Sequence, residues 1–313
     1  MTASRDTRPP TEHGFYRPAK ERAARGLRWP GGKPLAFAVL LCAEHYELRP
    51  RPDACAPVNV PGAFGRGPYP DIGSFSRREY GNRVGFFRIA RQLADHGLVA
   101  TAAIDAAVAA RCPAVVDEAI ARGWPVAGHG RAVNDVLSSR MQPADERGYI
   151  AQCLQSLRDA GVTQIRGWHG AEYAESPATP ALLAQAGIRY LMDWPHDEQP
   201  VAMRTEAGPM LSLPVCADFD DVNAMWHRRI APERWAAAIL DAVETLAADG
   251  RDDGRLYILN LHAWLVGQPF RAHALDSLLA SLRQREDVWF TTTDAIADWV
   301  SRPPADAVAR TRA

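Results

Sequence analysis

The chain has 313 residues, of which 47% are hydrophobic, and its formal net charge at pH 7 is −1. This length suits a large core, in one barrel-sized domain or in two smaller ones. The near-neutral charge argues against partners such as nucleic acid or an anionic membrane surface. No apolar run approaches the roughly 18 residues of a membrane span, and the polar N-terminus lacks a secretory signal. The five scattered cysteines contain no Cys-x-x-Cys pair, so we expect a cytoplasmic protein with reduced thiols.

The first quarter of the chain contains an irregular arm, a buried strand and a long loop. Residues 1–30 are rich in Arg, Pro and Gly and show no period, which predicts an N-terminal arm. The apolar run 35–42 predicts a strand that is buried on both faces, and it ends at Glu44 and His45. Residues 49–78 are rich in Pro and Gly, and a loop of this length is usually functional, as a lid or as a subunit contact.

Helical and strand patterns then alternate, and a glycine follows most of the helices. The predicted helices span residues 80–95, 112–122, 143–160, 180–186, 232–248 and 271–285, and the segments 288–290 and 294–300 close the domain. The further predicted strands span residues 98–104, 124–127, 165–169, 188–192, 210–215 and 256–262. This alternation indicates βα units around parallel strands, in a barrel or a doubly wound sheet. No strand precedes a phosphate-binding glycine motif.

Long polar and aromatic side chains gather where the predicted strands end. They are Glu44 and His45, His129, Trp168 and His169, Asp193 and Asp197, and His262. The carboxyl ends of parallel strands in a barrel lie on one rim, where such folds carry their chemistry. We therefore expect these side chains to converge on a single rim.

A carboxylate and two histidines on one rim suit the hydrolysis of a carbon–nitrogen bond. A base must take a proton from water, an acid must protonate the departing nitrogen, and donors must stabilise the oxyanion. Glu44 is the candidate base or a metal carboxylate, and His262 is the candidate acid. His129 lies between two glycines, and it is a candidate for orienting water or binding a metal. The alternative for each residue is a structural role in a salt bridge or at the end of a helix or strand.

Several motifs follow one another in a characteristic order, at residues 79–85, 128–130, 167–168, 184–190, 193–200 and 261–269. With them the chain resembles the polysaccharide deacetylase family, carbohydrate esterase family 4, over residues 29–299. The closer resemblance is to the branch that includes metal-independent allantoinases and cyclic-imide hydrolases. It implies an α/β fold, a distorted (β/α)7 barrel of the polysaccharide deacetylase type, as a catalytic domain over residues 31–300 with a short tail at 301–313.

The resembling motifs and the strand ends together supply the candidate substrate-binding residues. They are His45, Arg83, Trp168, His169, Asp193, Trp194, Asp197 and Trp264. The three tryptophans have an alternative interpretation as core aromatics, and His45 and Asp197 have one as ordinary loop residues.

The chain departs from the family's deacetylases at the positions that hold their metal. Ala43 and Glu44 stand where those enzymes carry paired aspartates, and Val133 stands where a second histidine follows the first by four residues. Catalytic zinc usually takes three protein ligands, so we expect no metal cofactor. The alternative is zinc or another divalent ion on Glu44 and His129, completed by a nearby histidine. The family's Arg-Pro-Tyr stretch is also not evident, which weakens a sugar substrate.

We therefore expect a hydrolase of a small cyclic amide, ureide or imide. One alternative is a deacetylase of an N-acetylated sugar or polysaccharide, and another is a barrel that binds a ligand without turnover. The resemblance and the apolar residues of the 49–78 segment also predict a homo-oligomer. Those apolar residues are Val58, Val60, Phe64 and Tyr69.

Overall fold

The structure is a computed structural model, and it describes residues 13–16, 26–57 and 70–302. Most of the predicted arm and tail lies outside the described residues, as do the apolar loop residues Val58, Val60, Phe64 and Tyr69. Trp29, which the sequence places at the end of the arm, is buried in the core, and its Nε1 donates to Arg255 O at 2.7 Å. The packed structure therefore begins before residue 30.

Nine strands form one curled sheet, and eight of them run parallel, which confirms the predicted distorted (β/α)7 barrel. The strands are β1 Leu35–Ala43, β2 Ala100–Ile104, β3 Val126–Gly128, β4 Gly167–Trp168, β5 Tyr190–Leu191, β6 Val201–Thr205, β7 Gly208–Ser212, β8 Arg255–His262 and β9 Val288–Thr291. Seven of the parallel strands follow the order β7-β5-β4-β3-β2-β1-β8, and the eighth, β9, pairs with β1 off this path. Strand β6 extends the β7 end as an antiparallel hairpin. Leu256 N donates to Glu198 O at 2.8 Å, so β8 contacts the segment before β6.

Helices connect these strands, and their ends carry the signals that the sequence shows. They are α1 Ile72–Tyr80, α2 Phe86–Asp95, α3 Ala106–Arg111, α4 Pro113–Ala121, α5 Pro143–Asp159, α6 Thr179–Gln185, α7 Pro232–Asp249, α8 Pro269–Arg283 and α9 Thr293–Val300. Proline occupies the first turn of α4, α5, α6, α7 and α8, where its missing N–H costs nothing. No helix among the described residues is long and apolar enough to cross a membrane.

Two predicted boundaries are wrong for local reasons. Helix α1 begins inside the predicted loop 49–78, because Asp71 caps it by accepting a hydrogen bond from Ser74 N at 2.9 Å. The predicted strand 210–215 is the second strand of the β6–β7 hairpin. The first strand, β6, alternates buried and exposed side chains at an edge of the sheet, so it lacks the apolar run of the buried strands.

Helices α1 and α2 are separated by a π-helical turn at Gly81–Gly85. A Cβ atom on Gly85 would lie 2.0 Å from Ala263 O, and one on Gly81 would lie 2.7 Å from Trp264 N. The turn therefore packs backbone to backbone against the segment that follows β8. Within it, Asn82 Nδ2 donates to Glu44 O at 2.7 Å, so the same turn also contacts the end of β1. Such turns are common at functional sites.

The two-residue period of a strand decides which side chains face the barrel interior. In β1, Leu35, Phe37, Val39 and Leu41 pack against the helices, whereas Ala36, Ala38, Leu40 and Cys42 pack inside the barrel. Glu44 continues the interior series of β1, as His262 continues that of Leu256 and Ile258 in β8. The barrel interior at the carboxyl ends of these strands is consequently the place where polar side chains meet.

Candidate active site

The Glu44 carboxylate is the centre of a buried polar cluster at the carboxyl ends of the strands. Arg78 Nε donates to Glu44 Oε2 at 3.1 Å, and both side chains are at most 1% exposed. Glu44 Oε1 lies 3.5 Å from His129 Nε2 and 3.8 Å from His262 Nε2. The structure thus brings together the three residues that the sequence nominates as catalytic, and it adds Arg78, which lay in the predicted loop.

His262 is held as an imidazolium by two carboxylates. Its Nδ1 donates to Asp221 Oδ1 at 2.7 Å, and its backbone N–H donates to Asp221 Oδ2 at 2.8 Å. Burial lowers the pKa of His262, but the charge and hydrogen bond of Asp221 and the charge of Glu44 outweigh it and raise the pKa to about 10. His262 Nε2, the ring nitrogen that faces Glu44, is therefore protonated at neutral pH.

The Glu44 carboxyl is held in its deprotonated form. Burial alone raises the pKa of this carboxyl, but Arg78, His129 and His262 hold the pKa well below its usual range. Glu44 is consequently an anion throughout the neutral range and a weak proton acceptor on its own. Its role in any proton transfer must be shared with a neighbouring base.

His129 and His169 supply neutral imidazoles beside that anion. His129 Nδ1 lies 2.5 Å from His169 O, so Nδ1 carries the proton and Nε2 is left as an acceptor. His169 Nδ1 likewise donates to Asp193 Oδ1 at 2.8 Å. Burial lowers the pKa of both rings, that of His169 to about 3. The buried Nε2 of His129 has no hydrogen-bond partner, which makes it a proton acceptor close to Glu44.

Asn260 and Tyr173 surround the cluster, and sequence analysis missed both. Asn260 Nδ2 donates to Tyr173 OH at 3.0 Å and lies 3.3 Å from His169 Nε2. Tyr173 OH in turn donates to Asp220 Oδ2 at 2.8 Å. A polar residue inside the apolar run of β8, two positions before His262, is a signal that sequence analysis could have used for Asn260.

Some of the predicted substrate-binding residues lie at this rim. His45 is buried there, and its backbone N–H donates to Asp105 Oδ2 at 2.6 Å. Trp194 is half-buried, and its Nε1 donates to Glu175 Oε2 at 2.7 Å. Asp197 does not lie at this rim: its neighbour Glu198 accepts a hydrogen bond from Leu256 N at 2.8 Å, near the amino end of β8 and so away from His262.

Trp168 and Arg83 also lie away from the cluster, whereas Trp264 contacts it through Arg78. Trp168 is fully buried in the cluster of core residues under α5, because the strand period turns it away from the face of His169. Trp264 is in the helix-side core, with the Arg78 guanidinium 4.2 Å from its ring centre. Arg83 is 75% exposed and lies 3.9 Å from Glu79 in a surface ion pair.

The residues around His129 do not fit the metal site that the resemblance to deacetylases implies. Val133, at the position of the second metal histidine, is an apolar side chain with no exposed surface. Glu44, at the position of the metal carboxylate, already has the Arg78 cation at 3.1 Å. A divalent ion bound by this carboxylate would compete with that cation and with the His262 imidazolium.

Comparison with known proteins agrees with this fold. No family model matches the chain. It is 25% identical over 251 residues to a Schizosaccharomyces pombe protein described as “Putative polysaccharide deacetylase”, over 73% of this chain and 77% of that one.

Two solved structures are also similar in fold. One is a probable polysaccharide deacetylase from Pseudomonas aeruginosa PAO1, with TM-score 0.77 and 23% identity over 86% of this chain and 92% of that chain. The other is Puue Allantoinase, with TM-score 0.77 and 24% identity over 86% and 91%. The predicted resemblance to polysaccharide deacetylases is confirmed.

Proposed function

We propose that this chain, which has the fold of polysaccharide deacetylases, hydrolyses a carbon–nitrogen bond in a small cyclic amide, ureide or imide. One observation carries the proposal. The Glu44 Oε1 atom lies between two histidine Nε2 atoms, at 3.5 Å from that of His129 and 3.8 Å from that of His262. One ring is neutral and has a free lone pair, and the other is charged. A base and an acid therefore flank one carboxylate.

The protonation states assign a role to each group. Water is activated between His129 Nε2 and Glu44, and its oxygen attacks the substrate carbonyl while the proton passes to His129. Anionic Glu44 stabilises the imidazolium that forms. The charged His262 stabilises the oxyanion and then gives its Nε2 proton to the nitrogen as the C–N bond breaks. Opening a ring leaves the carboxylate and the released nitrogen group on one product, and that group is an amine from a cyclic amide, an amide from an imide and a ureido group from a ureide.

The burial of the cluster supports a small substrate. Glu44 and His129 have side chains that are 1% exposed, and His262 reaches 9%. A polymer needs an open groove along which its chain can lie, whereas a small ring can enter a buried site. The similarity to Puue Allantoinase supports the same class of substrate. The apolar Val133 disfavours the sugar deacetylase alternative, because the deacetylases that the chain resembles use a metal at that position.

An activity screen tests the proposal directly. Purified protein is incubated with allantoin, hydantoin, succinimide and chito-oligosaccharides, and ring opening and acetate release are measured. We expect ring opening of at least one cyclic substrate, and a loss of roughly 10²–10⁴-fold in turnover for Glu44→Gln and for His262→Ala. Acetate release without ring opening would favour the deacetylase alternative. Saturable binding without turnover would favour the non-catalytic barrel.

A further inference from the structure

Three side chains inside the barrel, beside Glu44, carry atoms that could bind a metal ion. Cys42 Sγ and one ring nitrogen each of His129 and His169 all lie within 4.8 Å of one another, and all three residues are buried. Cys42 precedes Glu44 by two residues, so it points into the barrel from the same face of β1. Zinc bonds of ~2.0–2.1 Å to nitrogen and ~2.3 Å to sulfur require such atoms to approach to roughly 3.3–3.7 Å. Small side-chain rotations can therefore close this set around one ion.

Hydrogen bonds already orient both imidazoles as metal ligands. The Nδ1–H groups of His129 and His169 donate to His169 O and to Asp193 Oδ1, which leaves both Nε2 lone pairs facing the barrel interior. A histidine that binds a metal usually donates its other N–H to a carbonyl or carboxylate in this way. The fully buried Nε2 of His129 has no hydrogen-bond partner, and a buried acceptor without a donor is costly. The arrangement therefore leaves one acceptor for which a cation would be a partner.

An ion at this site must displace the contacts that Asn260 makes with Cys42 and His169. The Oδ1 of Asn260 accepts the weak S–H hydrogen bond of Cys42 at 3.1 Å, and its Nδ2 lies 3.3 Å from His169 Nε2. Both contacts are weak, because the thiol is a poor donor and the second distance is long. If the Asn260 amide turns over, its Nδ2 can donate to a thiolate. Its Oδ1 then replaces Nδ2 beside Tyr173 OH, and the Tyr173 hydroxyl must turn from Asp220 to donate to it. Asn260 then changes from a partner of the empty site into a support for the filled one.

We propose that Cys42, His129 and His169 bind a soft divalent cation of the zinc type, with release of the Cys42 thiol proton to solvent. This set has two nitrogens and one sulfur, which suits Zn²⁺ or Co²⁺ rather than Mg²⁺ or Ca²⁺. It shares only His129 with the metal position of the deacetylases that the chain resembles. If the proposed hydrolysis is correct, the ion occupies the His129 lone pair that activates water. Metal binding at this site should therefore inhibit the hydrolysis.

Cobalt tests the site without any assay of activity. Metal-free protein is titrated with Co²⁺, and the near-ultraviolet thiolate-to-cobalt charge-transfer band is followed. We expect one equivalent to produce the band, Cys42→Ser to abolish it, and His169→Gln to weaken the Co²⁺ affinity at least ~10-fold. The matched control is Cys216→Ser, because Cys216 is an exposed thiol and its loss must leave the band unchanged.

The same titration can overturn the proposal. Wild-type protein that gives no thiolate band at one equivalent contradicts it, as does a band that survives in Cys42→Ser. Cys42→Ala is the second variant if Cys42→Ser does not fold. On a confirmed substrate, one equivalent of Zn²⁺ should lower turnover and a chelator should restore it. Unchanged turnover in zinc-loaded protein would refute inhibition, whereas a lack of hydrolysis in metal-free protein refutes only the proposed function.

Discussion

Asp221 accepts two hydrogen bonds from His262, one from the backbone N–H at 2.8 Å and one from Nδ1 at 2.7 Å. The two contacts fix the ring orientation and place its remaining N–H toward Glu44. Asp221 is the N-cap residue of the π-helical turn Val222–His227, so it belongs to none of the strands that carry the other groups. Positioning of the acid therefore depends on a residue outside the sheet, whose own side chain is fully buried.

Replacing Asp221 should change the pH dependence of turnover. The acid is active while protonated, so activity should persist at neutral pH and fall as pH rises through about 10, the raised pKa of His262. In Asp221→Asn a main cause of that raised pKa is lost while burial still lowers it. We expect the alkaline limb of the kcat/KM profile to move to lower pH, with a loss of roughly 10²-fold in rate. An unmoved limb would contradict the assignment, and exposed Asp218→Asn is the control.

Arg78 should be essential for stability as well as for activity. Both members of the Arg78–Glu44 pair are buried, so Arg78→Met leaves Glu44 without its guanidinium partner at a cost of ~3–5 kcal/mol in unfolding free energy. Arg83→Met is the matched control, since that residue lies nearby in the π-helical turn but makes only an exposed pair with Glu79. We expect ~0–1 kcal/mol for the control. Equal denaturation midpoints for the two variants would show that the buried pair contributes little.

Glu172 should make the folded protein less stable as pH rises. Burial and the charge of Glu44 raise the pKa of Glu172 from 4.5 to about 8, and the residue adopts a left-handed backbone conformation with φ 59°. Because folding raises this pKa, the contribution of the group is most favourable below pH 4.5 and is lost as pH rises toward 8. Glu172→Gln should therefore raise the thermal midpoint at pH 8–9 and leave it unchanged near pH 4.

Calorimetric scans at several pH values measure this effect. Exposed Glu206→Gln is the control, and its midpoint should follow the wild type at every pH. A stabilisation by Glu172→Gln that is equal at pH 4 and pH 9 would have a cause other than ionisation.

Chelator should leave hydrolysis intact. The proposed reaction runs through Glu44, His129 and His262, and an ion on Cys42, His129 and His169 would block it. We therefore expect EDTA-treated protein to turn over a confirmed substrate at the untreated rate or faster. A loss of activity in chelator that zinc restores would show instead that Glu44 and His129 are metal ligands, and the assignment of proton transfer to them would be wrong.

The sequence predicts the strand-end residues well and the supporting residues poorly. The buried runs and the strand period place Glu44, His129 and His262 on one rim, because a parallel strand of this kind leaves little choice of face. Asp221 and Arg78 lie 41 and 34 residues away in sequence from their partners, in segments without strand-like periodicity. Contacts of this range depend on how helical segments outside the sheet pack over the rim, which local patterns do not encode.

The same strand period also explains why the Trp168 side chain does not face the barrel interior. Trp168 and His169 are neighbours in sequence, and neighbouring strand residues face opposite sides of a sheet. If His169 faces the barrel interior, Trp168 must face the helices, where it is found. The predicted homo-oligomer stays a prediction, because its apolar loop residues lie outside the described part of the chain.

The close contact between the π-helical turn and the segment after β8 makes the geometry of the active site depend on two glycines, Gly85 and Gly267. A Cβ atom on Gly267 would lie 2.5 Å from Gly85 Cα, and one on Gly85 would lie 2.0 Å from Ala263 O. An alanine at either place would push α1 away from β8, and with it the arginine that neutralises Glu44. In a saturation mutagenesis experiment, these two glycines should therefore tolerate substitution as poorly as the residues that perform the chemistry.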